Sequence, residues 1–132
     1  MRLQLKWWWY LLPGYLTLWT VAFSIWSFVD GQGIMEAFQV ETGGASEFIM
    51  LNSAARYLAI AVAMILGIWV FRTYSSILTA LLTRFTMDVL DLYAGWQTGL
   101  IVDVTGVIQS LLMFLLPNLI AIIWLVKVKK SL

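Results

Sequence analysis

The sequence has no cysteine and no histidine, and only 11% of its 132 residues are charged. Without cysteine there is no disulfide, no thiolate nucleophile, no zinc–sulfur site and no iron–sulfur cluster. Without histidine there is no imidazole ligand for haem or a metal, and the usual general base near neutral pH is missing. The sequence shows no P-loop, no GxGxxG and no HExxH, and no motif for flavin or haem. Nothing in it offers a surface for nucleic acid.

What is present in quantity is apolar. Hydrophobic residues make up 62% of the chain and the mean hydropathy is +0.90. Soluble domains are nearer 45–50% apolar and about 25% charged. A domain of this size buries only about two-thirds of its chain surface, so it has no interior for so much apolar material. A soluble enzyme and a disordered tail are excluded on this ground. The expected fold class is all-α: an integral membrane four-helix bundle forming a single domain.

A membrane helix needs about 20 mostly apolar residues. Four stretches qualify, at about 7–29, 52–71, 73–95 and 103–126. The third is the least apolar, because it contains Arg84, Asp88 and Asp91. Arg2 and Lys6 ahead of an apolar run imitate a signal peptide. The run is too long for that, and Trp7, Trp8 and Trp9 suit an interfacial belt, so a retained first span is expected.

Charge orients the spans. In a four-span arrangement Arg2, Lys6, Arg72, Lys127, Lys129 and Lys130 share the face that holds both termini. Asp30, Glu36, Glu41, Glu47, Asp88, Asp91 and Asp103 all fall toward the other face. The positive-inside rule then places both termini in the cytoplasm, in an inner or plasma membrane. The stretch from Asp30 to Met50 is the one sizeable extramembrane segment. It reads as a connector on the outer surface, or as a lid over a cavity opening there. Gly43 and Gly44 break it, and Ser46 is positioned to cap a new helix before Glu47.

The third span carries the chemistry. At about 100° per residue, Arg84, Asp88 and Asp91 share one face. Charges in a bilayer are costly, so that face should turn inward, where the charges pair. A tight hairpin at Arg72 and Thr73 brings Arg56 of the second span level with Asp88 to Asp91. Arg84 and Asp88 form an i,i+4 pair. The result is a neutral layer of two arginines and two aspartates, with Tyr57 and Tyr93 near it. It serves either as an ion-pair lock on helix register or as a catalytic site. The candidate catalytic residues are Asp88, Asp91, Arg84, Arg56, Tyr57 and Tyr93. A carboxylate-only metal site is opposed by the two arginines, so no metal and no cofactor is expected.

Other faces match. Ala55, Ala59, Ala63 and Gly67 recur every four residues, as helix-packing stripes do. Thr17, Thr20, Ser24 and Ser27 form a hydroxyl stripe, either bonded back to the helix or lining a polar cavity. Gln109 lies near the level of the charged layer. Pro117 is expected to kink the fourth span, and Pro13 with Gly14 to bend or start the first.

From Arg56 through Ala63, Gly67 and the turn at Arg72 to Asp88 and Gly95, the pattern resembles the small four-helix membrane proteins of the DoxX-like group. The resemblance covers about a third of the chain. It implies a four-helix bundle with a polar patch near one end, and little about chemistry, since that group is functionally mixed. The absence of CxxC excludes the four-helix quinone-dependent thiol oxidoreductases.

Two function classes follow. One is a cofactor-independent hydrolase, cyclase or isomerase that uses paired aspartates as acid and base on a lipophilic small molecule, by epoxide opening, cyclisation or double-bond isomerisation. The other is a non-enzymatic membrane subunit or assembly factor of a larger complex. An oligomeric transporter is a third, disfavoured because a nearby arginine opposes proton uptake by each aspartate. The expected partners are membrane lipid, a lipophilic small molecule, and further copies or a larger membrane complex. A reporter fused after Leu132 is expected to behave as cytoplasmic, and a label placed between residues 30 and 50 to react from outside. A C-terminus on the outer side would contradict the four-span topology.

Overall fold

The computed structural model describes residues 1–37, 44–97 and 104–131, and every regular element among them is helical. Glu41, Gly43 and Asp103 of the sequence reading lie outside the described residues. A 3-10 turn, Trp7–Tyr10, leads into α1, Leu11–Val29. A short α2, Gly31–Ala37, follows. Helix α3, Gly44–Met64, continues without interruption into a π-helical stretch, Ile65–Phe71. After a two-residue turn comes α4, Tyr74–Gln97. Then α5, Val104–Ser110, passes through a second π-helical stretch, Leu111–Leu115, into α6, Leu116–Ser131. Three of the helical segments, Trp7–Val29, Phe48–Phe71 and Val104–Lys130, are long and apolar enough to cross a membrane.

Local chemistry explains the boundaries. Pro13 is the third residue of α1, within the first turn, where its missing N–H has no partner to lose. It starts the helix rather than bending it. Asp30 opens α2 by accepting from the Gly33 N–H at 3.0 Å. Thr73 and Ser76 cap α4 reciprocally, each hydroxyl accepting from the other's backbone N–H at 3.1 Å. Arg72 closes the preceding helix in the left-handed conformation, φ 56° and ψ 27°, and its Nε donates to the Trp69 carbonyl at 2.8 Å. Both π-helical stretches have a cause. Ser76 Oγ donates to the Gly67 carbonyl at 3.0 Å, and the Arg72 N–H reaches that same carbonyl, five residues back, at 3.3 Å. An inserted side chain of this kind widens a helix. The second stretch directly precedes Pro117, whose ring crowds the carbonyl four residues earlier.

Two expectations are corrected. Helix α3 starts at Gly44, so Ser46, expected to cap it, lies inside it, and its membrane-length apolar segment begins at Phe48 where about 52 was expected. The polar Glu47 and Asn52 limit an apolar run but do not stop a helix. The alanine stripe is not a packing face, because Ala55, Ala59 and Ala63 are exposed. Steps of four residues drift about 40° each around a helix, so this series starts off the interface and reaches it only at the buried Gly67. The buried line of α3 runs instead through Ala54, Ile60, Ala61, Met64, Gly67 and Ile68.

The long helices pack in the cyclic order α1, α3, α4, α6, with α1 against α3 the most extensive contact. Leu16, Met64, Ile68, Ile77, Leu81 and Leu125 fill the centre and are inaccessible. Thr20, Ser24, Ser27, Arg84 and Asn118 are buried among them, while Leu18, Ile25, Phe28, Leu58 and Leu90 face outward. Polar inside and apolar outside inverts the soluble pattern. In lipid the outside gains nothing by being buried, so close packing and interior hydrogen bonds hold such helices together.

Helices α3 and α4 approach closely at Gly67. A Cβ there would lie 2.7 Å from the Ser76 carbonyl oxygen and 3.1 Å from Ala80 Cβ. Gly67→Ala is therefore expected to force α3 and α4 apart and to cost about 1–3 kcal/mol, read as a lower melting temperature in detergent. An unchanged melting temperature would contradict this packing.

Candidate functional site

The polar interior is built in two tiers. The lower tier centres on Arg84 of α4. Its Nε donates to Asp88 Oδ2 at 2.9 Å, one turn along the same helix. Its Nη1 donates to Thr20 Oγ1 of α1. Thr20 in turn donates its own proton to the Leu16 carbonyl at 2.7 Å, so one hydroxyl serves as donor and acceptor. The guanidinium lies 5.7 Å from the Phe114 ring centroid and 6.0 Å from that of Tyr57. Phe114 stands edge-on to Trp19 at 5.9 Å. The side chains of Arg84 and Asp88 are 4% and 9% exposed. The charge is thus held between α1, α3 and the second π-helical stretch.

The upper tier joins α3 to α4. Arg56 Nη2 donates to Asp91 Oδ1 at 2.8 Å, and the Tyr57 hydroxyl donates to Asp91 Oδ2 at 2.7 Å. Arg56 and Asp91 are 48% and 31% exposed, so this tier is in contact with the surroundings. Tyr57 packs on Phe23 of α1 at 4.8 Å between centroids.

Five of the six sequence candidates come together in this way: Arg56, Tyr57, Arg84, Asp88 and Asp91. Hairpin register set Arg56 against Asp88 or Asp91, and the structure pairs it with Asp91. Tyr93 does not join them. It lies two residues, about 200°, around α4 from Asp91 and is 62% exposed. Gln109 is exposed too, with its amide on Met113 Sδ at 3.7 Å.

Thr20 and Phe114 are the participants that residue type alone did not single out. Thr20 was legible only as one of four hydroxyls. Thr17 and Ser27 bond back to Pro13 and Phe23, and Ser24 reaches the Ala54 carbonyl of α3 at 3.3 Å. Thr20 alone stands at the level of Arg84. Asn118 adds a further interior tie, donating to the Leu81 carbonyl at 3.1 Å.

The described residues form openings away from the two tiers. One, about 270 Å³, lies at the end of α1 between Ser27, Asp30, Gly31 and Met50. The other is an apolar cleft of about 500 Å³ between α4 and the α5–α6 helix, walled by Phe85, Val89, Leu92 and four-carbon side chains such as Leu112 and Leu115. Neither is lined by a residue of the two tiers. Comparison with protein families, curated sequences and solved structures finds no match for the chain.

The tiers differ in the cost of losing a charge. Asp88→Asn strands Arg84 in a dry setting and is expected to cost about 3–5 kcal/mol. Asp91→Asn leaves Arg56 accessible to solvent or headgroups and should cost about 1 kcal/mol or less. Tyr57→Phe, which removes one hydrogen bond to Asp91, should fall near 0.6–2 kcal/mol. Thermal unfolding of the purified variants in detergent checks this order. Equal losses at Asp88 and Asp91 would contradict the two-tier arrangement.

Proposed function

We propose that this is a four-span integral membrane protein with both termini in the cytoplasm, acting as a non-catalytic helical subunit or assembly factor within a larger membrane complex. Its intramembrane charges lock the helices in register. In this reading α4 is the third of the four spans, beside the three segments that are apolar enough to cross a membrane. Its 24 residues give about 36 Å of helix, enough for a hydrocarbon core of about 30 Å. Its three charges would each cost about 2.5–3.5 kcal/mol unpaired, and pairing offsets that cost. The DoxX-like resemblance, a bundle with a polar patch near one end, is compatible with this reading and supplies no chemistry.

The observation that carries the proposal is the enclosure of the Arg84 guanidinium in the lower tier. Arg84 is engaged by Asp88, Thr20 and an aromatic ring, at 4% side-chain exposure, and no described cavity is lined by either charged residue. A catalytic acid or base needs a substrate atom within hydrogen-bond reach. A carboxylate tied to a buried guanidinium, at 9% side-chain exposure, offers a substrate little of that access.

A second reading, an acid–base enzyme for a lipophilic substrate, draws on the upper tier. Asp91 there is partly accessible and holds both an arginine and a phenol. It would take Asp91, Tyr57 and Arg56 as the working groups, with Asp88 and Arg84 behind them.

The test is compensation. Asp88→Asn alone should lower the melting temperature and the membrane yield. Arg84→Gln added to it removes the stranded cation and should recover much of the loss, because the two substitutions are coupled. A double variant as unstable as the single one would overturn the lock.

A further inference from the structure

The end of the molecule that carries both termini is assembled from three parts. The Leu3 N–H donates to the Arg72 carbonyl at 2.7 Å and Leu3 is buried, which ties the N-terminal arm across the α3–α4 turn. Trp8 stands edge-on to Trp124 of α6 at 5.0 Å. Lys129 Nζ lies 4.2 Å from the ring centroid of Tyr74, the first residue of α4. These contacts bring Arg2, Lys6, Arg72, Lys127, Lys129 and Lys130 to one end, all six exposed and none in an ion pair among the described residues. Trp7, 76% exposed, and Trp8 stand beside them.

Among the described residues no side-chain carboxylate is paired with this charge. Along α4 the first one is Asp88, fourteen residues from Tyr74 and so about 21 Å up the helix. At physiological ionic strength charges are screened beyond about 8 Å. Among the described residues the six cations therefore form a basic end without paired side-chain acids, beside tryptophans that favour the headgroup level of a bilayer.

We propose that this basic end is a binding surface for anionic phospholipid, holding a first shell of such lipids through their phosphates while the tryptophans seat the glycerol region. The proposal rests on the membrane reading above and adds the lipid class to it. The complementarity is one of charge. Phosphate oxygens supply what the basic end lacks, and a lysine or arginine near an anionic leaflet contributes attraction additively.

The experiment uses the full chain in vesicles of phosphatidylcholine with a minor fraction of phosphatidylglycerol. The protein is extracted in mild detergent and the lipid that stays with it is analysed. The retained lipid should be enriched in phosphatidylglycerol over the bulk by about threefold or more. A variant with Lys127→Gln, Lys129→Gln and Lys130→Gln should lose most of the enrichment, and Lys→Arg at the same positions should keep it. Inorganic phosphate should displace the lipid no better than sodium chloride of equal ionic strength. Retained lipid of bulk composition, enrichment indifferent to the glutamine substitutions, or selective displacement by inorganic phosphate would each overturn the proposal. Release of the protein from the vesicles by alkaline carbonate would overturn the membrane reading itself, and this proposal with it.

Discussion

A guanidinium at 4% side-chain exposure sets the terms for the rest of this structure. Arg84 has to be neutralised and its donors occupied, or the helices around it do not come together. Asp88, one turn along, supplies the charge. Thr20 supplies an acceptor from α1, and Phe114 supplies a ring from the far side. One side chain of α4 thereby specifies the position of α1 and of the α5–α6 helix. The upper tier adds α3 through Arg56, Tyr57 and Asp91. Apolar contacts alone would not be so particular, because leucine gains little by leaving lipid for a leucine interface.

The other interior polar contacts serve the same purpose more weakly. Ser24 reaches across to the α3 backbone, Asn118 to the α4 backbone, and Ser76 to the carbonyl of Gly67. Each ties two elements at one height. Gly67 lets α3 and α4 approach at the turn, and the paired charges hold them at the opposite end. The two regions are far apart along the helices, which suits a rigid hairpin of α3 and α4.

Much of this was legible in the sequence. Apolar runs located the long helices, because a bilayer-length helix of mixed composition has few other readings. The face shared by Arg84, Asp88 and Asp91 followed from helical geometry alone, and the short turn at Arg72 fixed the height of Arg56. Failures came where the period was treated as four instead of 3.6. The alanines at 55, 59 and 63 recur as a packing stripe should, yet all lie off the interface that the series meets only at Gly67, and Tyr93 sits close in sequence to Asp91 but on another face. Thr20 was not separable from Thr17, Ser24 and Ser27, because a hydroxyl's partner on another helix depends on relative height and rotation, which residue type does not encode. The π-helical stretches also lay beyond sequence patterning. They depend on a serine reaching into the preceding helix and on how the chain relaxes ahead of Pro117.

The central claim is that the polar interior is closed and dry, a lock rather than a cavity. Because the chain has no cysteine, single thiols report on it without background. Ser24→Cys is nearly isosteric and lies one turn from Thr20 at 1% exposure, whereas Gln32→Cys places a thiol on the exposed surface of α2, outside the membrane-length segments. Both should be treated in intact membranes with a small, water-soluble methanethiosulfonate. A closed interior predicts rapid modification at position 32 and none at position 24 on the same timescale. Comparable modification at the two positions would mean that water reaches the charged tiers, and would contradict the lock.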